Sequence, residues 1–167
     1  MYKNMDENSE FKKKYNKAMN TAIGLLSRRN HTKFEITQKL KQREIEPEII
    51  SKVISECERY NYINDEETGR ILFRQLRAKG YGLHRIRYSM KKKGLGNELT
   101  DSLLAEYDSE TGELENARKV LLNKLSTFNR EKDLRKRKGK IYRFLYSRGF
   151  AGSVISELIN QYVISDS

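Results

Sequence analysis

Basic side chains recur at helical spacing in the middle of the chain. Arg70, Arg74 and Arg77 are four and then three residues apart, which places them on one face of a helix. Arg85 and Lys92 form a second outward face, and the aromatic residue Tyr88 lies between them. Guanidinium and ammonium groups bind phosphates and carboxylates, so the chemistry that this pattern predicts is recognition of an anionic partner.

The positive charge is concentrated in two segments. The chain has 34 Lys and Arg against 23 Asp and Glu, a formal charge of +11. Residues 70–93 contain nine basic and no acidic residues, and residues 130–148 contain nine basic and two acidic ones. We predict contacts to a partner or DNA from Arg70, Arg74, Arg77, Lys79, Arg85, Arg87, Lys91 and Lys92 on one surface, and from Arg135, Arg137, Lys138 and Lys140 on another.

Tyr88 has two interpretations. An aromatic ring within a basic face can stack on a nucleic-acid base or on a partner's side chain. It can also pack against the aliphatic stems of its neighbours.

Catalytic chemistry has little support in the sequence. Cys57 is the only cysteine and occupies an apolar helix position, which is typical of a buried thiol. His31 and His84 are the only histidines, and neither has a partner at metal-binding spacing. The acidic residues 65–67 precede a helical segment, where they would offset the helix dipole. No phosphate-binding glycine loop occurs, so we predict neither an enzyme nor a cofactor or metal site.

The elements that position these residues form a repeat. An apolar pattern with spacings of four, five, four and four residues occurs three times, at constant offsets of 50 and 55. Such a pattern is typical of two helices that are joined by a tight turn and packed through one stripe, so we predict an all-α repeat protein. The three copies are Ile36, Leu40, Ile45, Ile49 and Val53; Ile86, Met90, Leu95, Leu99 and Leu103; and Ile141, Leu145, Phe150, Val154 and Leu158.

Each copy contains the same kind of turn. The second and third turns place glycine, at Gly94 and Gly149, between a basic and an apolar residue, and glycine permits a left-handed helix stop. The first turn has Glu44 instead, so we expect it to be less regular. Residues 32–35 have the form of a capping box, and Pro47 suits the first turn of a helix.

These patterns divide the chain into four segments. We predict a charged, flexible leader over residues 1–16, with a first helix that begins near residue 17. Repeat 1 covers residues 17–63, repeat 2 covers 64–108 and repeat 3 covers 109–167. Five extra residues in repeat 3 predict a flexible basic loop within 126–140. The first twenty residues contain no apolar run, and no stretch is apolar enough to span a membrane, so we expect a cytoplasmic protein that does not engage membranes.

Several short motifs resemble one known family when they are taken in order. They are Gly80-Tyr81-Gly82-Leu83-His84-Arg85-Ile86, the following Lys93-Gly94, the corner Tyr62-Ile63-Asn64-Asp65, and Arg143-Phe144-Leu145-Tyr146-Ser147-Arg148-Gly149-Phe150. Together they resemble the RecX family, modulators of the RecA recombinase, from about Ala18 to Tyr162.

The resemblance implies an all-α fold of three tandem three-helix repeats that form an elongated, curved arch. It also implies a partner, the RecA filament, in whose deep groove the arch lies across neighbouring protomers. In the family this inhibits ATP hydrolysis, strand exchange and coprotease activity, with consequences for homologous recombination, DNA repair and the SOS response. We expect a monomer that also contacts single- or double-stranded DNA through non-specific basic contacts.

Two other functions remain open from the sequence. The chain could be a stand-alone helical-repeat protein that binds nucleic acid and is not directed at RecA. Its affinity would then fall about a thousandfold between about 50 and 200 mM salt if about six cations met phosphates. It could also be a structural adaptor for another acidic assembly, in which case a partner other than RecA would dominate a pull-down from nuclease-treated lysate.

Overall fold

The computed structural model describes residues 3–164, with side chains for residues 9–106 and 112–163. Within that range the regular elements are all helical, and they group as three consecutive sets of three. The predicted all-α fold of three three-helix repeats is therefore confirmed. The α-helices are α1 Lys3–Leu26, α2 Lys33–Lys41, α3 Pro47–Arg59, α4 Asp65–Ala78, α5 Leu83–Lys92, α6 Asn97–Thr111, α7 Glu113–Phe128, α8 Leu134–Ser147 and α9 Gly152–Ile159, followed by a π-helical turn at Asn160–Ile164.

The repeated apolar pattern forms the interior. Every member of the three copies is buried except Ile45, Leu99 and Val154, and these three are half-buried. Burial of these side chains is the main favourable term available to helices of 8–24 residues.

The first compact unit comprises the described residues up to Thr68 together with Lys93–Leu95. In it α3 packs against both α1 and α2. Its core includes Ala18, Ala22, Ile36, Leu40 and Val53, all fully buried.

The first helix begins earlier than we predicted. It starts at Lys3 and not near residue 17, although residues 1 and 2 of the predicted leader lie outside the described residues. Phe11 and Tyr15 pack on the core in helical register with Ala18 and Ala22. The sequence of this segment is charged and shows little periodicity, because only two apolar side chains lie on its buried face. It is nevertheless helical, since Lys and Glu have high helix propensity.

The second compact unit comprises Gly69–Lys92 and the described residues from Gly96 onward. In it α7 and α9 pack against each other and against α8. The largest buried side chains of this unit include Phe73, Phe150, Met90, Leu121 and Ile141.

The predicted basic loop in repeat 3 is wrong. Helix α7 continues to Phe128 and α8 begins at Leu134, so only residues 129–133 connect them. The basic run that follows is helical because Asp133 caps α8, accepting a hydrogen bond of 2.9 Å from the backbone N–H of Lys136. Arg and Lys also have high helix propensity, which the charge of the run obscured.

All but one of the turns follow their predicted chemistry. Thr32 and Glu35 form the capping box of α2, and Pro47 is in the first turn of α3. Gly94 and Gly149 adopt the left-handed conformation, with φ of 76° and 85°. Glu44 adopts the same conformation, with φ of 57°. Our expectation of a less regular first turn is therefore wrong, because Glu44 adopts the left-handed conformation at the cost of a strained non-glycine backbone.

Candidate partner and nucleic-acid interface

The structure places every predicted contact residue in the second unit. Arg70, Arg74 and Arg77 lie on α4, and Lys79 follows it. Helix α5 carries Arg85, Arg87, Lys91 and Lys92, and α8 carries Arg135, Arg137, Lys138 and Lys140.

The amino end of α5 is held by backbone contacts to the turn between α8 and α9. The N–H of Gly82 donates to the carbonyl of Arg148 at 2.9 Å, and the N–H of His84 donates to the carbonyl of Gly149 at 3.1 Å. Arg148 reaches back, and its Nη1 donates to the carbonyls of Lys79 and Gly80 at 3.0 and 3.3 Å. These reciprocal bonds fix the orientation of α5 relative to α8 and α9 within the unit.

A groove of about 770 Å³ lies beside this contact, with α5 as one wall and the α8–α9 corner as the other. We call it the α5/α8 groove. Its volume lies within the ~300–1,000 Å³ range of ligand-binding pockets. Its lining residues are His84, Arg85, Tyr88, Ser89, Lys92, Tyr146, Ser147, Gly149, Phe150 and Gly152.

The structure brings the predicted second face of α5 into this groove. Arg85, Tyr88 and Lys92 all line it. Arg85 is held in place, because its Nη1 donates to the carbonyl of Ser147 at 3.0 Å and its guanidinium lies 4.2 Å from the ring centroid of Tyr81. Lys92 is exposed and forms no ion pair within the described part of the chain.

Two tyrosine rings in the groove are open to solvent. Tyr88 is 68% exposed and Tyr146 is 64% exposed, so the ring of Tyr88 is not covered by neighbouring aliphatic stems. Tyr146 also stacks on Tyr142, with ring centroids 5.8 Å apart and planes inclined by 14°. The sequence analysis did not select Tyr142 or Tyr146, although their spacing of four residues within a basic helix marks an outward aromatic face.

Two of the predicted cations face α6 and are partly neutralised there. Arg70 pairs with Glu106 at 2.8 Å, and Arg87 pairs with Asp101. Arg74 remains exposed on α4, with its Nε near the carbonyl of Arg70 at 3.4 Å. The cations of α4 and α5 therefore differ in how much of their charge is available to a partner.

The second predicted surface forms a shallow hollow of about 540 Å³ along α8. Arg135 and Lys140 line it, together with Lys136 and Arg143, which the sequence analysis did not select. Arg137 and Lys138 are half-buried beside it. The sequence contained the signal for Arg143, which lies eight residues after Arg135 on the same helix.

Cys57 and His31, two side chains considered for catalysis, are both buried in the fold. Cys57 is fully buried, and burial raises the pKa of its thiol, which disfavours the nucleophilic thiolate. His31 is buried, its Nδ1 lies 2.9 Å from the carbonyl of Arg29, and burial lowers its pKa. Among the residues with described side chains, no three potential metal ligands lie together. No helix in that part of the chain is long and apolar enough to cross a membrane.

Fold and surfaces together define an all-α protein of three three-helix repeats that presents cations and aromatic rings on its second unit. Comparison with known proteins gives the family. Residues 18–57 match the family model described as RecX, first three-helix domain, and residues 111–159 match RecX, third three-helix domain. The chain belongs to the RecX family.

Curated relatives match the sequence of this chain along most of its length. A regulatory protein RecX of Haemophilus influenzae strain PittEE is 32% identical over 145 residues, 86% of this chain and 93% of the relative. Another, from Prosthecochloris aestuarii, is 32% identical over 146 residues, 87% of this chain and 93% of the relative. The chain is thus similar to regulatory proteins.

Solved structures support the fold. The crystal structure of RecX from Lactobacillus salivarius superposes with a TM-score of 0.79 at 22% identity, covering 91% of this chain and 98% of that one. A second crystal structure, of a regulatory protein RecX, gives a TM-score of 0.81 at 21% identity and covers 100% of this chain and 79% of the other.

Proposed function

We propose that this protein binds the RecA nucleoprotein filament and modulates it, mainly by inhibiting ATP hydrolysis, strand exchange and coprotease activity. The observation that carries the proposal is membership of the RecX family, with 32% identity over 86% of the chain to a curated regulatory protein RecX. RecA is the partner that this family implies.

The chemistry of the second unit is compatible with such a partner. Exposed cations on α4, α5 and α8 suit both acidic protein surfaces and the phosphates of filament-bound DNA. A ligand that binds one conformation of a filament more tightly than another shifts the filament toward that conformation. Modulation therefore requires differential binding and no catalytic group on this chain.

The test is ATP hydrolysis by RecA on single-stranded DNA, with this protein titrated in at about 150 mM salt. Binding of the protein to the same DNA without RecA is measured in parallel. Inhibition well below one copy per RecA, at concentrations where bare DNA is scarcely bound, is the expected result.

The opposite result favours a different function. Inhibition that appears only when the protein coats the DNA, or no inhibition at all, would contradict the RecA assignment. The exposed tyrosines and cations of the α5/α8 groove would then favour the stand-alone nucleic-acid-binding protein.

A further inference from the structure

The charge of the α5/α8 groove selects an anionic occupant. Arg85 and Lys92 line it, and none of its lining residues in the described part of the chain is acidic. Arg85 is already ordered by the Ser147 carbonyl and the Tyr81 ring, so its charge requires no rearrangement before a ligand binds.

The aromatic side chains of the groove narrow the choice of anion. Tyr88 and Tyr146 expose about two thirds of their surface in the same groove, one on each wall. The ring of Tyr142 stacks on the ring of Tyr146, which restricts the orientation of the Tyr146 ring. An acidic peptide would use the cations, but its carboxylates would not stack on these rings. A strand of nucleic acid uses both, because bases stack on the rings while phosphates meet the cations.

The same rings favour a single strand over a duplex. Bases within a duplex are stacked on one another and offer no free face to a tyrosine, whereas unpaired bases do. We propose that the α5/α8 groove binds single-stranded nucleic acid, with bases stacked on Tyr88 and Tyr146 and the backbone beside Arg85 and Lys92. The inference rests on the proposed function, since the DNA-bound filament is where this chain would meet a strand.

The test measures binding of a fluorescein-labelled oligothymidine to the whole 167-residue chain by anisotropy at about 50 mM salt. Tyr88→Ala and Tyr146→Ala are each expected to weaken binding about tenfold, since each removes one stacking platform. Tyr88→Phe and Tyr146→Phe keep the ring, so each is expected to lose much less affinity than the alanine variant at the same position. Lys92→Gln is expected to lower the slope of log affinity against log salt by about one.

Tyr60→Ala is the matched control. Tyr60 lies in the first unit, is 57% exposed, and stacks on another exposed tyrosine, Tyr62, at 5.9 Å between ring centroids. Its removal is expected to leave oligothymidine binding unchanged. Circular dichroism of each variant, compared with the wild type, separates lost binding from lost folding.

Three results would overturn the groove assignment. The first is that the wild-type protein does not bind the strand. The second is that both alanine variants still bind the strand as the wild type does. If those variants nevertheless lose filament inhibition, the groove binds protein and not nucleic acid. The third is that a duplex binds the wild type as tightly as the strand does and that the alanine substitutions weaken duplex binding equally. If the strand depends on both tyrosines but the wild type does not inhibit RecA, the groove stands and the RecA assignment fails.

Discussion

The backbone N–H of Gly82 donates a 2.9 Å hydrogen bond to the carbonyl of Arg148, and a β-carbon on Gly82 would lie 2.3 Å from the carbonyl oxygen of Gly149. The first unit contains an equivalent contact. Thr32, 50 residues before Gly82, donates from Oγ1 at 2.6 Å to the carbonyl of Lys93, 55 residues before Arg148. The repeat offsets of the sequence thus recur as a repeated contact between a helix-start turn and a helix-stop turn.

Gly82→Ala is expected to destabilise the protein by about 2 kcal/mol, because the new methyl group would overlap backbone atoms of Gly149 and Phe150. Urea unfolding followed by circular dichroism measures the loss. Gly24→Ala is the control: Gly24 lies in α1 with nothing within 4 Å of its β-carbon position, so alanine should stabilise the helix by about 0.5–1 kcal/mol. Equal effects of the two substitutions would contradict the close packing at Gly82.

Glu44→Gly is expected to stabilise the protein by about 1 kcal/mol. Glu44 holds φ at 57°, a conformation in which a β-carbon is strained, and the equivalent residues of the other repeats are glycines. The same unfolding measurement tests it. Ser55→Gly, at an exposed position inside α3, should instead destabilise by a similar amount. A destabilising Glu44→Gly would show that the left-handed turn is not strained.

Acid is expected to destabilise the protein through Glu35. Burial would raise the pKa of this carboxyl, but hydrogen bonds from Arg29, Lys93 and the Thr32 N–H outweigh it and lower the pKa to about 2. The folded pKa lies below the unfolded value of about 4.3, so the stabilisation is present above that value and is lost as pH falls toward 2. The loss is about 3 kcal/mol, since one pKa unit corresponds to about 1.36 kcal/mol.

Urea unfolding of the wild type and Glu35→Gln from pH 7 to pH 2 measures this contribution. The variant should be less stable at pH 7 and should lose less stability between pH 5 and 2. His31, whose pKa burial lowers, also costs stability in acid but does so in both proteins. Parallel curves for the two proteins would contradict the role of Glu35.

Reversing charge on α4 is expected to weaken filament binding. Arg74→Glu with Arg77→Glu should raise the protein concentration needed for half-inhibition of RecA by about tenfold, equivalent to about 1.4 kcal/mol, without lowering helix content. Arg74→Glu alone tests the exposed charge without disturbing the half-buried Arg77. Lys12→Glu with Lys13→Glu, exposed on α1, is the matched reversal elsewhere. Unchanged inhibition by the α4 variants would remove this surface from the interface.

Local sequence was sufficient for many details of the fold. The capping box at Thr32, the helix start at Pro47 and the glycine stop at Gly149 each depend on residues within one turn, and all are present. The errors came where charge hid helical propensity, at the start of α1 and at Arg135–Lys140 in α8. In α8 the capping Asp133 favours the helix, and in α1 the core-facing rings of Phe11 and Tyr15 do so. The high charge of both segments had suggested disorder.

By itself the sequence determined the helical repeat, its offsets and the basic faces, because periodicity and charge follow from the order of residues along one helix. Only the tertiary structure decided which side chains share a groove. Tyr88 and Tyr146 are 58 residues apart, and they line one groove because the turns at Gly82 and Gly149 pack backbone to backbone. Such packing depends on the absence of two side chains and on hydrogen bonds between distant turns, which no local pattern encodes.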